Sequence, residues 1–165
     1  NLLYTHQIKR ITRYSMITEA SITDFMKATS YAVVGVSNNK HKFGSTLLKE
    51  LMKRNYTVYP VNAKGGEYEG VKGYTSLKEI PVKPGAVVVS VKPEKAMQVL
   101  EEAVELGITN IWLQQGSESS AAIAYGAEKK LNLIHGYCLI MFLNDIGFPH
   151  NLHRGIAKLF GKMPK

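Results

Sequence analysis

Two lysines sit inside a glycine-bracketed run, Gly35-Val36-Ser37-Asn38-Asn39-Lys40-His41-Lys42-Phe43-Gly44. Residues of these types bind anions. Small side chains leave backbone N–H groups open to a ligand, and the lysine ammonium groups add positive charge. The apolar stretch Tyr31-Ala32-Val33-Val34 precedes the run, and a helical pattern follows it. A strand that feeds a tight turn and then a helix puts the turn at the helix N-terminus, where the positive end of the dipole favours the same ligands. The chemistry expected here is capture of a phosphate-bearing molecule.

The other reactive side chains form no comparable set. Cys138 is the one cysteine of the chain. It excludes an internal disulfide framework and fits a reducing, cytoplasmic setting. A lone cysteine at a strand end reads as a small buried apolar side chain rather than a nucleophile. His135 lies three residues before it, and strand alternation puts the two on opposite faces. His150 and His153 share a helical face but lack a third ligand for zinc, and read as surface residues. Glu101, Glu102 and Glu105 read as the solvated face of a helix, and Trp112 with Leu113 as core. No nucleophile–base–orienter set and no metal cluster emerges, so the expectation is a binding module without chemistry of its own.

The elements that must position the glycine-bracketed run follow from periodicity. The chain has 165 residues, 45% of them hydrophobic, which favours one domain with a real core. No apolar run approaches the roughly 20 residues that cross a bilayer. Residues 1–15 match no periodic template and read as a leader or vector remnant, with Met16 a plausible start; residues 16–143 form the domain. Residues 144–165 read as a basic amphipathic tail, with Leu152, Ile156, Leu159 and Phe160 on one face for docking on the domain or for a homodimer. The net charge of +8 has the look of a nucleic-acid footprint until it is mapped. Most of the excess lies at the ends, in Lys9, Arg10 and Arg13 and in Arg154, Lys158, Lys162 and Lys165. These arms read as solvated tails, and nucleic acid ranks last among the partners.

Between the ends, β-rich runs near 31–36, 57–61, 86–91, 109–113 and 132–138 alternate with helical patterns near 44–54, 93–106 and 118–130. A short helix at 18–27 precedes them, with Ser21 and Asp24 as its capping signal, and residues 76–80 add a helical turn. The run Gly85-Ala86-Val87-Val88-Val89-Ser90-Val91 is apolar on both faces, as a central parallel strand must be. Pro93 suits the first turn of the next helix, and Gly107 its left-handed stop. This alternation predicts an α/β fold: a parallel sheet of about five strands with helices on both faces. Ligands of such sheets bind beyond the C-terminal strand ends, at the switch point. The rim is therefore 35–43, 60–64, 91–93 and 114–117.

The rim also limits the ligand. A dinucleotide fingerprint needs three glycines in the first turn and an acid about 20 residues on. Only Gly35 and Gly44 are present, and the second strand ends in Asn62-Ala63-Lys64 with no carboxylate. A cation there favours an extra phosphate near the ribose, which NADP and coenzyme A both carry. An NADP-linked oxidoreductase or redox-sensing domain stays open on these residues alone.

The same pieces in order carry a family resemblance. They are Val34-Gly35-Val36-Ser37 with Lys42-Phe43-Gly44, Tyr56-Thr57-Val58-Tyr59-Pro60-Val61-Asn62, Gly70-Val71-Lys72-Gly73-Tyr74, Ile80-Pro81, Val91-Lys92-Pro93, Gly107-Ile108-Thr109-Asn110-Ile111-Trp112-Leu113-Gln114-Gln115-Gly116 and Cys138. From about residue 22 to 138 the chain resembles the CoA-binding domain family, similar to the N-terminal domain of the succinyl-CoA synthetase alpha subunit. The resemblance implies a three-layer Rossmann-like domain that binds CoA or an acyl-CoA. It implies that Gly35, Val36, Ser37 and Asn38 wrap the pyrophosphate and that Lys42, with Lys40 nearby, pairs with phosphate beside Phe43 and Gly44. Pro60 and Asn62 would edge the nucleotide. Val91, Lys92 and Pro93 would flank the adenine side, and Gln114, Gln115 and Gly116 would lie near the pantetheine arm. The tail from about residue 144 lies outside the shared region.

Overall fold

Short runs of valine and alanine build the middle of the sheet. The computed structural model describes residues 17–39 and 41–143. In it, β1 (Ser30–Val34) pairs in parallel with β2 (Thr57–Val61) on one side and β5 (Ala86–Val89) on the other. β6 (Asn110–Gln114) and β7 (Asn132–Tyr137) continue the sheet, giving the order β2-β1-β5-β6-β7. β5 is the central strand, and all its residues are buried. Its unbroken apolar sequence is what burial on both faces requires.

Side-chain alternation divides the core in two. Tyr31 and Val33 of β1 and Ala86 and Val88 of β5 face α1 (Glu19–Met26) and α2 (Phe43–Met52), through Ile22, Phe25, Leu47, Leu48 and Leu51. Ala32, Val34, Val87 and Val89 face the other layer. There α3 (Pro93–Glu105) supplies Ala96, Leu100 and Ala103, and α4 (Ser120–Glu128) supplies Ala122. The period of two along each strand thus gives both sheet faces a full apolar set. Trp112 is fully buried, stands edge-on to Phe25 at 5.2 Å, and donates from Nε1 to the carbonyl of Tyr137 at 3.0 Å.

Two details depart from expectation. The α1 cap is Thr18, not Ser21: the Thr18 hydroxyl accepts from the Ser21 N–H at 3.1 Å, and Ser21 Oγ accepts from the Thr18 N–H at 2.9 Å. The helix itself begins where expected, and Ile22, Phe25 and Met26 face the core. A hairpin, β3 (Gly66–Tyr68) with β4 (Val71–Gly73), also follows β2. Glu69 and Gly70 both have positive φ, +51° and +78°, as a tight two-residue hairpin turn demands. The usual Asn-Gly or Asp-Gly signal is missing, so the pattern passes for loop. The hairpin exit covers the sheet edge: Tyr74 donates to Pro60 O and accepts from Asn62 N, each at 2.9 Å.

Strand ends are shorter than the apolar runs. β1 stops at Val34 because Gly35 turns to φ +99°, and β5 stops at Val89, although Ser90 N still bonds Val34 O at 2.8 Å. Pro93 occupies the first turn of α3 and Gly107 has φ +68°, both as expected. The leader at 1–15, the tail at 144–165 with its two histidines, and Lys40 lie outside the described residues.

Candidate functional site

In sequence order the five parallel strands run 2-1-3-4-5, so the strand order reverses between β1 and β5 while the strands stay parallel. The crevice at that reversal is where open α/β sheets bind ligands. Two loops flank it, residues 35–42 after β1 and residues 90–92 after β5.

The first loop is pressed between neighbours. A Cβ on Gly35 would stand 2.1 Å from the carbonyl oxygen of Ser90, and one on Gly44 would stand 3.1 Å from Val36 N. Glycine at both positions is a packing requirement as well as a conformational one. The Gly35 N–H donates to Val61 O at 3.0 Å, the last bond toward β2. Asn62, at the end of β2, turns its side chain onto the loop. Nδ2 donates to Val36 O at 2.6 Å, and Oδ1 accepts from Lys64 N at 2.9 Å. Within the loop, Ser37 Oγ accepts from Asn39 N and Asn39 Oδ1 accepts from His41 N, at 3.1 and 3.0 Å. Ser45, buried in the first turn of α2, exchanges hydrogen bonds with Ser37.

This leaves donors with no partner of their own. Among the described residues, the N–H groups of Val36 and Asn38 make no hydrogen bond, nor do those of Phe43 and Gly44 in the first turn of α2. The helix starts show a division of labour. Thr18 caps α1 and Ser119 caps α4, each with a side-chain oxygen. The two helices that begin at the switch point, α2 and α3, have lysines there instead, Lys42 and Lys92, and no side-chain cap. Lysine cannot accept a hydrogen bond. The start of α2 therefore presents open N–H groups, and both helix starts bring a positive dipole end and an ammonium to one crevice; at α3, Pro93 has no N–H and Lys95 N donates to Lys92 O at 2.9 Å. Lys42, Lys64 and Lys92 are exposed and form no ion pair among the described residues. Phe43 is 41% exposed at the same mouth.

The far rim is differently built. Gln114 is buried, and its Oε1 accepts from Leu139 N at 3.1 Å. Gln115 and Gly116 are exposed, and Gly116 N donates to the Glu118 carboxylate at 2.7 Å. His135 stands near by. Its Nε2 is buried without a partner among the described residues, and burial pulls its pKa below the ordinary imidazole value while Glu118 opposes the shift. Cys138 is half-buried rather than fully buried, and it opens the 3₁₀ turn after β7, so strand alternation with His135 does not reach it. Among the described residues no group of His, Cys, Asp and Glu is placed to hold a metal. Nor is any helix there long and apolar enough to cross a membrane.

The sequence-level site thus divides. Gly35, Val36, Ser37, Asn38, Lys42, Phe43 and Gly44 gather at the switch point together with Val91, Lys92 and Pro93. Pro60 and Asn62 stand beside them at the end of β2, with Pro60 buried in the sheet. Gln114, Gln115 and Gly116 lie one strand beyond β5. Ser45 and Ser90 are contacts that the sequence reading missed. One acts through its hydroxyl and the other through a main-chain oxygen, and nothing local separates Ser45 from its neighbour Thr46.

The family described as "CoA binding domain" matches residues 29–144, which take in the whole sheet and every rim loop. The chain belongs to this CoA-binding family. An uncharacterized protein of Bacillus subtilis, YneT, is 32% identical over 108 residues, 66% of this chain and 80% of that protein. The alpha subunit of the ADP-forming acetate–CoA ligase II of Pyrococcus furiosus is 35% identical over 88 residues. That stretch is 53% of this chain but 19% of the ligase subunit, so the chain spans a minor part of the ligase relatives it matches. Among solved structures, a conserved hypothetical protein of Pyrococcus furiosus superimposes with a TM-score of 0.65 at 35% identity, over 67% of this chain and 96% of that one. The CoA-binding domain is thus an α/β, Rossmann-like domain, and the loops at its switch point fall inside the family match.

Proposed function

We propose that this CoA-binding domain holds coenzyme A, or an acyl-CoA, across the C-terminal ends of β1 and β5, and performs no chemistry of its own. The observation that carries the reading is the pair of uncapped, lysine-headed helix starts on either side of the switch point. A diphosphate on the 35–38 loop would meet the open N–H groups of Val36 and Asn38 and the start of α2. Lys42 and Lys92 would add charge on the diphosphate side, and Lys64, at the end of β2, would favour the further phosphate on the ribose. The pantetheine arm would run toward Gln115 and Gly116, in a reducing, cytoplasmic setting that suits both its thiol and the single cysteine.

Thermal unfolding with added nucleotides tests this. CoA is expected to raise the melting temperature, with a linkage gain of about 2.7 kcal/mol at 100 times Kd, while NAD leaves it unchanged. Stabilisation by NADPH and not by CoA would replace the reading with that of a redox domain. Stabilisation by neither would reject both.

A further inference from the structure

Ser45 makes two hydrogen bonds to one residue, and the two bonds fall on successive peptide planes. Its Oγ accepts from Ser37 N at 3.0 Å and donates to Ser37 O. The Ser37 N–H belongs to the Val36–Ser37 peptide, and the Ser37 carbonyl to the Ser37–Asn38 peptide. The first plane is held from its other side as well, because Val36 O accepts from Asn62 Nδ2 at 2.6 Å. A trans peptide points its C=O and N–H in opposite directions. With Ser37 O drawn to Ser45, the Asn38 N–H therefore points away from α2, and it has no partner among the described residues. Ser45 is 5% exposed and cannot be a surface contact for a large ligand. Only a hydroxyl serves as donor and acceptor at this short reach.

We infer that Ser45 is a positioning residue: it fixes two peptide planes of the β1–α2 loop so that the Asn38 N–H is aimed outward at the diphosphate of the ligand before the ligand arrives. The inference rests on the reading that the diphosphate lies on this loop. A loop already set in its bound geometry loses little entropy on binding, and affinity gains accordingly. Asn62 holds the same loop from the β2 side, so its amide serves the loop rather than the ligand.

The test is calorimetric titration of the intact chain with CoA and, separately, with inorganic pyrophosphate, at a temperature where circular dichroism shows every variant folded. Ser45→Ala removes both hydrogen bonds and is expected to weaken CoA and pyrophosphate alike, by about tenfold. Ser45→Thr keeps the hydroxyl and is expected to restore most of the affinity. A lowered melting temperature with unchanged affinity in Ser45→Ala would reduce Ser45 to a packing residue and overturn the inference. So would a loss for CoA with none for pyrophosphate. Failure of the unaltered chain to bind CoA would instead reject the underlying site. Should Ser45→Ala not fold, amide exchange in the unaltered chain decides. Without CoA, the Ser37 amide is expected to be protected and that of Asn38 to exchange freely, slowing when CoA is added. Free exchange at Ser37 without CoA would overturn the inference.

Discussion

A Cβ built on Gly44 would stand 2.3 Å from the carbonyl oxygen of Gly35. The first turn of α2 is therefore seated directly on the backbone that ends β1, with no room for a side chain between. Gly35 in turn lies against Ser90 at the end of β5. Three segments distant in sequence meet at one crevice because two glycines let their backbones touch.

That contact makes Gly44→Ala informative. The added methyl meets backbone rather than a flexible side chain, so α2 must move away from the loop. Overpacking of this kind costs about 1–3 kcal/mol, and the displaced helix start would no longer face the same anion. A lower melting temperature and about tenfold weaker CoA binding are expected, measured by circular dichroism and calorimetry. A variant that melted and bound like the unaltered chain would show that α2 is free to shift.

Lys42 heads α2 beside the N–H groups of Phe43 and Gly44, which have no partner among the described residues. On the proposed reading its charge falls on the diphosphate side, whereas Lys64 stands at the end of β2 next to Asn62. Lys42→Glu is therefore expected to weaken CoA and dephospho-CoA by the same factor. Competition titrations of the two ligands measure this directly. A loss confined to CoA would move Lys42 to the ribose phosphate.

Burial holds the imidazole of His135 below its ordinary pKa, with Glu118 pulling the other way. Unfolding frees the ring, so the unfolded chain takes up a proton that the folded chain resists. The contribution is fully favourable above the ordinary value of about 6.5 and shrinks as pH falls through it. Melting temperature is expected to decline from about pH 7 to about pH 5, and to decline less steeply in His135→Gln. Parallel curves for the two proteins would remove His135 from the acid sensitivity.

Much of this architecture was legible in local pattern. Ala86-Val87-Val88-Val89 is apolar without a break, and only a strand covered on both faces tolerates that. Pro93 and Gly107 marked the two ends of α3, because one fixes φ and the other reaches a left-handed φ cheaply. The run from Gly35 to Gly44 marked the loop between β1 and α2 that is proposed as an anion site, since small residues, lysines and a helix start are all encoded within one stretch. The hairpin escaped because Glu69 takes a positive φ that glutamate seldom adopts, and its carboxylate is tied to Lys49 of α2 at 3.1 Å.

Composition and period alone thus determined the alternation of strands and helices and the loop proposed to bind an anion, because burial and backbone freedom act between near neighbours. Which groups stay open at that place was decided only by tertiary structure. Asn62 and Ser45 reach Val36 and Ser37 from separate segments, and a hydrogen bond depends on distance in space, which no spacing along the chain records.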